Sequence, residues 1–217
     1  MNLNLVQKTA GYIKAKLMNE HTGHDWYHAE RVWKMVKRLQ KEEGGDLELL
    51  ELAAILHDIG DYKHYEFNEA KGNLVLRGIM DVLEINQETQ DKLMDIIDES
   101  QYNGSETKVP TTIEGKILQD ADWLDSSGAI GIARIIATGG QIGRIIHDPK
   151  RKPRRRLTKA DYQHKKKEGT SINYFYEKVF KLAKMMNTKT GRAMSLKREQ
   201  FVKKYLDEFL AEWELEK

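Results

Sequence analysis

Apolar residues recur at intervals of three and four along most of the chain, and no segment alternates apolar and polar positions as a half-buried strand does. The pattern predicts helices throughout, the first over residues 3–18. A second covers 26–43, with Val32, Met35, Val36 and Leu39 on one stripe and Gly44-Gly45 as its stop. Asp46 caps a third that runs to His57 and is ended by Gly60. Further helices fit about 66–84, 87–102, 111–125 and 127–137, and two long ones lie near 171–187 and 191–215. Thr107 to Thr112 reads as a connection, and residues 138–169 as a long excursion rich in glycine and basic residues. Pro110, Pro149 and Pro153 interrupt no periodic segment. No internal repeat is visible. The expected fold is all-α, a single irregular helical bundle over residues 1–217, with its core about 20–137, the basic excursion 138–169 and C-terminal helices 170–217.

Composition narrows the chemistry. A chain of 217 residues, 40% hydrophobic and 32% charged, suits a globular protein that buries about 70% of its unfolded surface and folds without a structural metal or disulfide. A bound metal then serves chemistry. The absence of cysteine excludes thiolate nucleophiles, zinc ribbons and iron–sulfur clusters. The segment MNLNLVQKTAGYIKAKL is amphipathic and lacks the continuous apolar core of a signal peptide, and no apolar run approaches the roughly 20 residues needed to span a bilayer. The cytoplasm is the expected location, and no membrane association is expected.

Histidine carries the strongest signal, since three of the seven fall between His21 and His28. Helical spacing sets His28 on the stripe of Val32 and Met35. His57 follows Leu49 and Ala53 by eight and four residues, again on the apolar side. Asp58 comes next, about 100° around the axis and at the electronegative end of its helix, where a cation would relieve the carboxylate. Burying that carboxylate unpaired costs several kcal/mol. A third partner is expected in LQDADWLDSSGAIGIARI, residues 118–135. Asp120 and Asp122 differ by about 200° on a helix, so only one faces a shared ion. Asp122 and Asp125 share a face with Leu118, whereas Asp120 lies with Ile113, Ile117 and Leu124. Periodicity does not choose between them.

HDWYHAERV around His28, AAILHDIGD around His57-Asp58, and QDADWLDSSGAIGIAR around Asp122 resemble the HD-domain phosphohydrolases, and in particular the small stand-alone bacterial HD hydrolases. The likeness extends over nearly the whole chain, including PTTIEGKILQDAD, the HDP from His147 to Pro149, and NYFYEKVFKLAKMMNTKTGRA. It implies an HD-type helical bundle and selects Asp122 as the last ligand. The implied metal set is His28, His57, Asp58 and Asp122, around one divalent ion: Mn, Fe, Co, Ni, Zn or Mg. Two imidazoles and two carboxylates suit a borderline divalent cation. Departures from the family pattern are Trp123 in place of an arginine, ESQYNG (residues 99–104) in place of a His-Ser pair, and Tyr62 in place of the second acid of the alarmone hydrolases. Only His64 stands where dinuclear relatives carry two further histidines, which points to one metal.

The expected reaction is phosphoester hydrolysis by metal-activated water, on a nucleotide or similar small phosphorylated molecule. Asp58 binds the metal and orients the water. Asp61, one turn on, is the candidate general acid or base, against a reading as a solvated turn residue. Candidate substrate-binding residues are His24, Arg31, Lys63 and Arg134, with His24 placed before the helix proper. Trp26, Trp33, Trp123 and Trp213 read as core. KRKPRRR, residues 150–156, reads first as a solvated, mobile loop and second as an electrostatic funnel for polyphosphate or nucleic acid. It holds no aromatic residue for base stacking, so specific nucleic-acid recognition is not expected. The competing readings are a non-catalytic nucleotide- or RNA-binding protein on an HD scaffold and a dinuclear redox enzyme. The last two helices are apolar enough to form a homodimer face.

Overall fold

The computed structural model describes residues 4–18, 24–61, 65–66, 68–164 and 168–217, except for the side chains of residues 163 and 164. The described residues contain helices and turns and no strand, so the all-α expectation holds. No helix among them is long and apolar enough to cross a membrane.

The chain divides into two compact units, one within residues 1–102 and 107–121, the other within 103–106 and 122–217. The first begins with α1 (Leu5–Leu17), capped by Asn4, and α2 (Trp26–Glu43), capped by Asp25 and stopped by Gly44 at φ +83°. The bounds of α2 are those the hydrophobic stripe predicts. α3 (Leu47–Leu56) follows, with the Asp46 side chain accepting from the Leu49 amide. It is apolar nearly all round, and Leu50, Leu52, Ala53, Ala54, Ile55 and Leu56 are all buried. A helix of that kind must lie inside the fold. α1, α2 and α5 (Gln87–Ser100) pack against it, with α4 (Glu69–Val82) packing on α5 in turn. Gly60, just after α3, and Gly72 of α4 approach so closely that a Cβ on Gly72 would collide with the Gly60 carbonyl. α6 (Ile113–Asp125) starts after the expected connection, which Glu99 fastens by accepting from the Thr111 amide and hydroxyl.

In the second unit, α7 (Gly128–Gln141) runs four residues beyond its expected end. Gly139 does not stop it. The missing Cβ instead admits the Ser171 hydroxyl, so this glycine serves close packing. The excursion is correspondingly shorter than expected and contains a short helix, α8 (Lys159–His164). The expected helix 171–187 is built from α9 (Ser171–Tyr174), a π-helical turn (Phe175–Val179) and α10 (Phe180–Met185). The extra residue of the π turn rotates Phe175, Glu177 and Val179 inward, where they are buried. α11 (Lys189–Trp213) is capped by Thr188. Ile132 and Ile135 of α7, Ile172, Phe175, Val179, and Val202 and Leu206 of α11 form this unit's core.

Trp213 departs from its expected core position. It is 45% exposed and stacks on Phe209, with the His147 ring edge-on to both. Trp26 and Trp123 are buried as expected, and Trp33 is half-buried with its indole donating to Glu51.

Candidate metal centre

The position of each donor follows from local folding. Asp25 caps α2 by accepting from the His28 amide at 2.8 Å, which fixes the first turn and sends the fully buried His28 ring inward toward α3. His57 is the C-cap of α3, still with helical dihedrals. The chain then tightens: the Ile59 amide donates to the Leu56 carbonyl at 3.0 Å and the Asp61 amide to the Asp58 carbonyl at 3.2 Å. The turn turns Asp58 back onto His24 and His28.

Hydrogen bonding selects the tautomer of His57. Its Nδ1 lies 2.8 Å from the Ala54 carbonyl, which only accepts, so Nδ1 carries the proton and Nε2 presents a lone pair. That lone pair faces His28 Nε2 at 3.2 Å. Asp58 Oδ2 lies 3.3 Å from His28 Nε2, and Oδ1 lies 3.4 Å from His57 Nε2. Metal–nitrogen and metal–oxygen bonds of about 2.0–2.2 Å place adjacent ligand atoms about 3.0–3.4 Å apart, so these three donors fit one ion. A backbone acceptor behind His57 is the usual outer support of a metal-binding imidazole.

Burial pushes the Asp58 carboxyl upward, yet the facing His57 and His24, with hydrogen bonds from His24 and His28, hold it well below the ordinary carboxylate range. It is therefore an anion in a nearly enclosed place, which is the state a cation requires.

His24 is the main surprise. It precedes α2, as expected, but its Nδ1 lies 2.9 Å from Asp58 Oδ2, and its ring is edge-on to His28. His24, His28 and Asp58 offer ligand atoms within 4.8 Å of one another. Asp120 is fully buried, whereas Asp122 is half-buried on another side of α6.

Asp61 is not a solvated turn residue; it is only 3% exposed. Arg31 is half-buried one turn after His28. Arg134 is engaged by Asp125, with Nη1 donating to Oδ2 at 3.0 Å. Lys63, like His64, lies outside the described residues. Beside Asp58 opens a cavity of about 200 Å³. Leu17, Ile59, Val75 and Ile79 form its apolar wall, and Lys16 and Tyr65 also line it. The sequence reading did not identify Lys16 or Tyr65. Lys16 sits on the polar side of an amphipathic helix, and Tyr65 is placed by the hydrogen bond from its hydroxyl to the Ile59 carbonyl, which no spacing encodes.

The HD domain family matches residues 25–127, an interval that holds His28, His57, Asp58 and Asp122. An HD-superfamily hydrolase from Bacillus thuringiensis has a similar structure, with 35% identity, 96% of each chain covered and a TM-score of 0.71. The chain belongs to the HD superfamily. A Lactobacillus plantarum protein of solved structure is 36% identical, with 99% of each chain covered and a TM-score of 0.87. Bacillus subtilis YpgQ, whose structure is known in complex with ADP, is 26% identical over 94% of this chain and 95% of its own, with a TM-score of 0.69.

Proposed function

We propose that this HD protein is a metal-dependent phosphohydrolase that cleaves a phosphoester of a nucleotide or similar small phosphorylated molecule. The observation that carries the reading is the convergence of His28 Nε2, His57 Nε2 and the Asp58 carboxylate at 3.2–3.4 Å, with the His57 tautomer fixed by Ala54. Asp122 completes the set as a second carboxylate. Two neutral imidazoles and two carboxylates would together balance the charge of a divalent cation, and they suit Mn, Fe, Co, Ni, Zn or Mg. When bound there, such an ion would acidify water and polarise a phosphoryl oxygen.

The protein's own groups do the rest. Asp58 holds its charge at the centre, steadied by His24 through Oδ2. Asp61, buried three residues on, takes the role of proton donor or acceptor for the leaving group or the attacking water. Arg31, Lys63 and Arg134 are the cations assigned to the phosphate, Lys63 as a point charge, Arg31 through a guanidinium that can bind phosphate oxygens bidentately, and Arg134 through the part of its guanidinium that Asp125 does not engage. The cavity beside Asp58 offers an apolar wall on which a planar base can rest. The ADP-bound state of YpgQ supports a nucleotide as the phosphorylated partner. The cytoplasm is the proposed location.

The test pairs metal analysis with turnover. Wild-type protein loaded with Mn²⁺ is expected to hold one ion per chain and to hydrolyse members of a panel of nucleoside mono-, di- and triphosphates. Asp58→Ala is expected to lose both the ion and at least about 10³-fold of the activity, as befits removal of a group acting at the reacting centre. A wild-type protein that binds metal and turns over nothing in the panel supports a nucleotide-binding role on the same scaffold.

A further inference from the structure

The sequence KRKPRRR reads as a solvated loop; its side chains are mostly exposed, and hydrogen bonds hold its backbone. Its backbone is held at Lys150, Arg151, Arg154 and Arg155. The Asp148 side chain accepts from the Lys150 amide at 3.0 Å and pairs with Arg151 Nε at 3.0 Å. Asn173 Nδ2 donates to the Arg151 carbonyl at 2.8 Å, and Lys181 Nζ to the Arg155 carbonyl at 2.8 Å. Glu177, 1% exposed, accepts from the Arg154 amide at 2.9 Å and from its guanidinium at 2.7 and 3.1 Å. Leu157 is buried, and its carbonyl accepts from the Ser105 amide at 2.7 Å.

The pinning consumes some cations and presents others. Arg151 and Arg154 face acids. Lys150, Lys152, Arg155 and Arg156 are exposed, and none of the four forms an ion pair with an acid among the described residues. Arg156 Nε meets only the Ser105 hydroxyl, at 3.0 Å. An extended chain advances about 3.3 Å per residue, so the four side chains spread over at most about 20 Å. Cations on a mobile loop lose much of their attraction to ordering entropy; on a fixed backbone that cost is already met by folding.

We propose that this strap binds the phosphodiester backbone of a nucleic-acid strand without reading its bases. A strand repeats one full charge at each short step, so several phosphates meet the four cations together, and arginine adds bidentate contacts to phosphate. The segment carries no aromatic side chain on which bases could stack, and cations strung along a strand meet its repeating phosphates whatever the sequence.

The test is the salt dependence of binding to a fluorescein-labelled oligothymidylate, read by anisotropy. Replacing Lys150, Lys152, Arg155 and Arg156 together by Gln leaves Arg151 and Arg154 to hold the strap. Each phosphate contact on a single strand contributes about 0.7 to the slope of log K against log salt, so the slope is expected to shrink by about 3, with at least a tenfold loss of affinity. An unchanged slope overturns the proposal, as does equally tight binding of a polyglutamate of the same charge, which would assign the strap to an acidic protein. Glu177→Gln separates a held strap from a loose cloud of charge. It raises the net positive charge yet frees Arg154, so weaker binding in a protein of unchanged helical content supports the proposal and tighter binding contradicts it.

Discussion

His24 shows what one side chain adds to the centre. Its Nδ1 shares Asp58 Oδ2 with His28, so the carboxylate is held from two directions, and His57 stands opposite Oδ1. His24 thus positions a proposed ligand. Outer partners of that kind are worth about 10–100-fold in metal affinity. His24→Ala is therefore expected to weaken Mn²⁺ binding by about that factor in a competition titration, with turnover restored at saturating metal. Complete loss of binding, as expected for Asp58→Ala, would make His24 a ligand instead. The sequence showed His28, His57 and Asp58 because helical spacing puts histidines on apolar stripes. It concealed the part of His24, which lies outside the helix, where periodicity says nothing. Asp61 was ambiguous for the same reason: a turn after Gly60 reads as solvent-exposed until the packing around it is known.

At the scale of elements, the stripes and the Asp46 cap were legible, and the bounds of α2 match the pattern. Asp25 and Thr188 also cap the helices they precede, which the apolar spacing alone did not single out. Interruptions were not legible. The π turn in the 171–185 segment and the helical glycines of α7 arise from tertiary contacts that override local preference. α4 isolates that competition in two glycines. Gly78 has open space around it, so Gly78→Ala is expected to stabilise the protein by about 0.5–1 kcal/mol through helix propensity and reduced freedom of the unfolded chain. Gly72 faces the backbone carbonyl of Gly60, in the turn that carries Asp58 and Asp61, and backbone cannot step aside as a flexible side chain does. Gly72→Ala is expected to cost about 1–3 kcal/mol as overpacking, with weaker metal binding because the turn shifts. Urea denaturation of the two variants checks both signs; stabilisation by both would refute the packing argument.

For the whole molecule, the proposed centre is one ion that donors from distant parts of the sequence would hold. α3 is buried because it is apolar on every side, and its end brings His57 and Asp58 to His28. Asp122, the proposed fourth donor, lies in α6, near the end of the interval matched by the HD family. The family and the helical class were readable from the motifs, whereas the fixed basic strap was not, since a run of like charges says nothing about what grips its backbone. A crystal grown with Mn²⁺ and measured for anomalous scattering tests the central claim most directly. The expected result is a single strong peak within about 2.0–2.3 Å of His28 Nε2, His57 Nε2 and a carboxylate oxygen each of Asp58 and Asp122. A metal-soaked crystal with no peak among these four side chains, or with its peak elsewhere, would contradict the account.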